Sequence, residues 1–283
     1  MTAGTDDRQR TGAATDTART IAAATALVKS RTPLYAEDFP LIVLYSQKSG
    51  STSAVKWFFW HTGLLDRALA LGDWVHTYEN LVFKKSPGYR LRLVELLCSG
   101  ERQLVKFTRN PFQRAVSSFT MLSGPQMRSA RYFGHREWQK LRAFKYGNAE
   151  DRRGISFLDF LLYLKSTGVG LSQTNPHFAQ QFRHEELAFP VQYYPLEEMT
   201  AALHRLEDAL GLPACPDEVI SSSHHRRYAA AAIDNAARME IEPLTFAAAD
   251  PPPYRCFYDE VTTELAAELF ADDFRHYGFR TTP

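Results

Sequence analysis

The sequence predicts an α/β fold in which short buried parallel strands alternate with helices. Two strand-to-helix junctions carry this reading, with a composition able to bury a core. Leu41, Ile42, Val43, Leu44 and Tyr45 form a continuous apolar run of strand length, suited to a parallel strand covered on both faces. Residues Ser46 to Thr52 interrupt it. Ala54, Val55, Trp57, Phe58, Phe59 and Trp60 then lie nearly all round a helical wheel, so a buried helix starts there and stops at Gly63. Gln103 to Phe119 repeats the plan: Leu104, Val105 and Phe107 read as a strand, Asn110 as an N-cap, Pro111 as the first helical residue, and Phe112, Ala115, Val116 and Phe119 as one helix face. The 283 residues are 45% hydrophobic and 13% aromatic, enough to fill one α/β domain without division into equal halves.

In chain order, Met1 to about Thr20 is polar and aperiodic and reads as a disordered tail, with one Ala-rich helix expected over Ala18 to Ser30. Residues 1–35 are thus a tail and a helix, and 36–283 a single domain. Asp73 to Glu79 reads as a short strand or extended segment. Ser86 and Pro87 open a helix that buries Leu91, Leu93, Val94, Leu96 and Leu97 and ends at Gly100. Arg128 to Lys145 mixes seven basic residues with Tyr132, Phe133, Trp138 and Phe144. It fits a pocket for an acidic or sugar ligand, and it also fits an amphipathic helix with a solvated basic face, which helical spacing largely accounts for. Ser156 to Asp159 is a capping box before the apolar helix FLDFLLYLK. Val191 to Tyr194 is a strand, Pro195 to Leu210 a helix closed by Gly211, Ser221 to Pro253 a flexible connection or flap, and Cys256 to Phe279 a closing helix.

Net charge of +1 argues against binding a polyanion such as nucleic acid by bulk charge, so anion recognition must be local. Cys98, Cys215 and Cys256 are odd in number and lack metal-ligand spacing, which predicts neither a disulfide framework nor a zinc site. Ile21 to Val28 is too short and Ala-rich for a secretory segment, and no apolar run approaches the roughly 20 residues of a membrane span, so a cytoplasmic protein is expected.

The chemistry is expected at the first junction. The loop over the helix N-terminus can bring its first N–H groups, the hydroxyls of Ser49, Ser51, Thr52 and Ser53, and the ammonium of Lys48 onto a phosphate or sulfate. It is not a Walker A loop, because Gly50 is its only glycine and Lys48 precedes it. The order Lys48-Ser49-Gly50-Ser51-Thr52 after a strand resembles the 5′-phosphosulfate loop of sulfotransferases that use 3′-phosphoadenylyl sulfate (PAPS). Arg109-Asn110-Pro111-Phe112-Gln113-Arg114-Ala115-Val116-Ser117 resembles that family's 3′-phosphate motif, in which the arginine and the serine grip the phosphate. Thr174 to Gln181 resembles the His-aromatic-x-x-Gln element of carbohydrate-type members, with Phe178 where the family has tryptophan and Gln180 where it has proline.

The resemblance covers most of residues 41–278. It implies a P-loop-like three-layer fold with a central parallel sheet flanked by helices, and transfer of a sulfuryl group from PAPS to a hydroxyl, leaving adenosine 3′,5′-bisphosphate (PAP). It implies Lys48 as the residue stabilising the leaving group, Lys48, Ser49, Gly50, Ser51, Thr52, Ser53, Arg109 and Ser117 as donor-binding residues, and no metal. His76 is the candidate base, with Glu79 as its alternative; a packed core histidine is the competing reading of His76. His177 and Gln181 are candidates for contact with the acceptor, and His177 reads equally as a structural loop histidine. The acceptor is expected to be a carbohydrate or glycosylated small molecule. Two rivals remain: a P-loop kinase-like phosphotransferase, and a nucleotide-binding protein without catalysis.

Overall fold

The computed structural model describes residues 4–72, 74–124, 133–221, 233–247 and 250–283, with side chains from Asp16 onward. The chain divides into two compact units, Met1–Thr108 with Arg183–Ser223, and Arg109–Phe182 with His224–Pro283. This division stands beside the single domain expected over 36–283.

The first unit holds the sheet. Strands β1 (Leu41–Leu44), β2 (Gln103–Thr108) and β3 (Val191–Pro195) lie in the order β1-β2-β3, all parallel, with Leu41 opposite Gln103 and Leu104 opposite Val191. Helices of this unit are α1 (Gly4–Leu27), α2 (Ser51–His61), α3 (Leu65–Leu71), α4 (Val75–Leu81), α5 (Tyr89–Ser99), α9 (Met199–Leu210) and α10 (Asp217–Ser221). Because side chains alternate along a strand, each strand feeds two cores. Leu41, Val43, Val105 and Phe107 pack with Ala54, Val55, Phe58 and Phe59 of α2 and Ala202, Leu203 and Leu206 of α9. Ile42, Leu44 and Leu104 pack with Ala24 and Leu27 of α1 and Leu93, Leu96 and Leu97 of α5. Helices therefore cover both faces, which is why β1 reads as an unbroken apolar run.

The second unit is helical: α6 (Pro111–Met121), α7 (Phe133–Tyr146), α8 (Phe157–Thr167), α11 (Glu260–Leu269) and α12 (Ala271–Tyr277). Its core is aromatic, built on Phe112, Phe119, Phe157, Phe160, Phe257 and Phe274. Asn110 caps α6, its Oδ1 accepting from the N–H of Phe112 at 2.9 Å, and the Ser156–Asp159 capping box opens α8.

Four expectations are corrected. Helix α1 starts at Gly4, in the stretch whose polarity predicts a tail; its alanines supply the helix propensity. Asp73 to Glu79 is not extended, since Val75, Tyr78 and Glu79 are buried at the i, i+3, i+4 spacing of α4, though Asp73 itself lies outside the described residues. The closing helix is two helices: Asp259 caps α11 through Thr262, and the chain breaks at Phe270 before α12. A 3₁₀ turn, Leu196–Glu198, precedes α9, so the helix after β3 starts at Met199. Of the Ser221 to Pro253 segment, residues 222–232, 248 and 249 lie outside the described residues, as do Arg128, Arg131 and Tyr132.

Candidate active site

The first unit gathers four titratable or hydroxyl side chains behind the loop that joins β1 to α2. The loop is a tight turn: the N–H of Ser49 donates to Ser46 O at 3.3 Å, and the hydroxyl of buried Ser46 donates to that of buried Ser49 at 3.2 Å. Arg31 Nε ties the turn from outside, donating to Gln47 Oε1 at 2.8 Å. Lys48 and Gly50 both take left-handed backbone, at φ of 68° and 76°. For Lys48 this conformation is strained by roughly 1 kcal/mol or more. For Gly50 it is natural, and a Cβ there would also lie 2.6 Å from Leu196 Cδ1 and 2.8 Å from Met199 Sδ. The turn thus leads directly into the first turn of α2, whose N-terminal N–H groups suit an anion. Ser49 and Ser53 are buried, with the Ser49 hydroxyl held inside the turn, whereas Lys48, Gly50, Ser51 and Thr52 are partly open. Both the N–H and the hydroxyl of Ser49, expected to bind the donor, are thus engaged inside the turn.

Helix α4 presents His76 to the loop. Its Nε2 lies 3.3 Å from Thr52 Oγ1 and its Nδ1 meets Glu79 Oε2, one helical turn along. The Tyr45 hydroxyl donates to Glu79 Oε1, and Lys84 Nζ bonds the same oxygen at 2.5 Å and the Tyr45 oxygen at 2.9 Å. Glu79 is fully buried. Burial pushes its carboxyl up, but Lys84 and the hydrogen bond from His76 outweigh that and hold it at about 2. Burial also pushes the Lys84 ammonium down against the pull of Glu79, and burial followed by the Glu79 charge raises the Tyr45 phenol well above its usual range. An ionised carboxylate on Nδ1 favours the tautomer with its proton on that nitrogen, which leaves the lone pair of Nε2 toward Thr52. Glu79 is enclosed by its partners and serves to orient the imidazole. Tyr45 and Lys84 went unassigned from sequence; Tyr45 ends the β1 run, a position that marks it, while nothing local marks Lys84.

In the second unit, Arg109 and Ser117 are both partly buried, Arg109 directly after β2 and Ser117 in the middle of α6. The backbone of Arg109 is fixed by Gln181, whose Oε1 accepts from its N–H at 2.9 Å and whose Nε2 donates to its carbonyl at 2.8 Å. Gln181 is fully buried, and its own N–H donates to both oxygens of Asp273 at 2.9 Å. Contact between Gln181 and an acceptor, expected from sequence, gives way to positioning of Arg109. Asp273 also accepts from the N–H of Phe182 at 2.6 Å. His177 is half-buried, with Nδ1 2.9 Å from Asn175 Oδ1 and its ring stacked on Phe133 at 4.5 Å and 11°. The basic face of α7 is partly spent on structure: Arg142 donates to the carbonyls of Arg152 and Arg153, and Lys145 pairs with Asp159 at 2.7 Å and Glu240 at 2.6 Å.

Among the described residues, no group of three or more His, Cys, Asp or Glu side chains is placed to hold a metal, and no helix is long and apolar enough to cross a membrane. No protein-family model, curated protein or solved structure matches the chain.

Proposed function

We propose that the chain is a PAPS-dependent sulfotransferase acting on a hydroxyl of a carbohydrate or glycosylated small molecule, on a P-loop-like fold. The observation that carries the reading is the contact between His76 Nε2 and Thr52 Oγ1, which sets a carboxylate-oriented imidazole against an anion-type loop. The loop suits the 5′ end of the donor because it lies at the N-terminus of α2, where the first N–H groups of the helix have no partner within it. When bound, PAPS supplies the sulfuryl group. Lys48 and the first N–H groups of α2 hold negative charge at that end, Thr52 contributes its hydroxyl, and Arg109 and Ser117 hold the 3′-phosphate by their place in the resembled motif. His76 Nε2 takes the acceptor hydroxyl's proton, and Glu79 stabilises the imidazolium. The three free cysteines accord with the reducing cytoplasm in which we place the protein.

The same contact favours a second reading. Thr52, His76 and Glu79 stand in the order nucleophile, base and orienting acid, with Thr52 in the first turn of α2. An ester hydrolase would use Thr52 as nucleophile and the first N–H groups of α2 as an oxyanion site. Incubation of the protein with sulfur-labelled PAPS and a panel of sugars, and separately with an aryl acetate, decides between them. Label transferred to a sugar, and lost in His76→Ala, supports sulfotransfer. Acetate release that requires Thr52, without label transfer, supports hydrolysis. Nucleotide binding with neither activity leaves a binding protein.

A further inference from the structure

The second unit carries a pocket of about 350 Å³, lined by residues of the first turns of α7 and by the segment Ser172–Asn175. Glu137 Oε2 and Thr174 Oγ1, both on its wall, are buried and have no hydrogen-bond partner among the described residues. The Glu137 side chain is 5% exposed, and its other oxygen is already held by Lys140 Nζ at 3.0 Å and Asn175 Nδ2 at 3.4 Å. A buried carboxylate oxygen and a buried hydroxyl left unmatched cost their desolvation, so the wall is completed by a ligand that supplies hydrogen bonds. Oε2 can only accept, which requires a donor opposite it, while the Thr174 hydroxyl can donate or accept.

The rest of the lining selects among donors. Arg136 and Lys140 outweigh Glu137 by one positive charge, which disfavours an amine and favours a ligand with a carboxylate. Phe133, stacked on His177, offers an apolar wall for the carbon face of a ring. We propose that this pocket binds a polyhydroxy carboxylate of the sugar-acid class. Ring hydroxyls donate to Glu137 Oε2 and complete Thr174 Oγ1, and the carboxylate lies by Arg136. The inference goes beyond the sulfuryl transfer proposed above and does not depend on it, since the ligand needs no nucleotide.

Calorimetric titration of the full chain, without nucleotide, against glucuronate, glucose and acetate tests it. Glucuronate is expected to bind with millimolar affinity or better, and glucose and acetate at least about tenfold more weakly. Thr174→Val removes a hydroxyl that bonds nothing among the described residues, so it should melt no lower than wild type and bind glucuronate about fivefold or more weakly. Arg136→Ala, at an exposed position, should bring glucuronate down to the level of glucose. Absence of glucuronate binding up to about 20 mM, equal affinity for glucose, or unchanged affinity in both variants would overturn the proposal.

Discussion

His76 and Glu79 stand one turn apart on α4, with imidazole Nδ1 on carboxylate Oε2, so that Nε2 alone is turned to the Thr52 hydroxyl. If this pair is the base and its orienting acid, His76→Ala should bind PAP as wild type does while turnover falls about 10²–10⁴-fold. Glu79→Gln should also lose turnover, by freeing the tautomer. The two readouts are product formation and titration with PAP; normal turnover in His76→Ala would remove it from the mechanism.

The buried carboxylate also makes a prediction about acid. Because the folded Glu79 carboxyl is held at about 2, below its ordinary 4.5, its contribution to stability is fully present above 4.5 and is lost as pH falls from there toward 2. Glu79→Gln should flatten the loss of thermal stability across that window. At pH 7 it should lower the melting temperature, because it leaves Lys84 buried without its anion, at a cost of about 3–5 kcal/mol. Melting curves of both proteins between pH 2 and 7 measure this.

The loop separates folding from chemistry. Lys48→Ala keeps the Cβ and with it the left-handed strain, and should leave a folded protein whose transfer is slower by about 10²-fold or more. Gly50→Ala should destabilise by about 1–2 kcal/mol, because its φ is unfavourable for any side chain even if Leu196 and Met199 move aside. Denaturant unfolding checks the second, and single-turnover rates the first.

On the sulfotransferase reading, donor choice rests on Arg109. Wild type should prefer PAP over 5′-AMP by about two orders of magnitude, and Arg109→Ala should erase most of that preference with little change for 5′-AMP. Calorimetry with the two nucleotides measures it, and equal affinity in wild type would sink the sulfotransferase reading.

Much of both units was legible because the signals are local. An unbroken apolar run in β1, the cap Asn110-Pro111, the Ser156 capping box and the glycine stops at Gly100 and Gly211 each depend on neighbours in sequence. Helix α4 was misread because seven residues with Trp74 half exposed show too few buried positions to set a period. The partners of Glu79 were illegible for a different reason: Tyr45 is 34 residues away, and only the return of the chain beside β1 brings it there. Gln181 looked like a ligand contact because its neighbours resemble an acceptor motif, yet its amide is taken by the backbone of Arg109, which leaves no mark in the pattern of side chains, and by Asp273, 92 residues away.

The clasp formed by Gln181 has a kinetic meaning. The chain leaves the first unit at Thr108–Arg109 and re-enters it at Phe182–Arg183, and within the second unit a single side-chain amide and one carboxylate, that of Asp273, bind Arg109, Gln181 and Phe182 together. These three N–H groups therefore have no independent way to reach solvent. They should exchange with deuterium at one common rate, set by a shared opening event, and Asp273→Ala should raise the rates of all three at once. The entry and the exit of the second unit are a single latch.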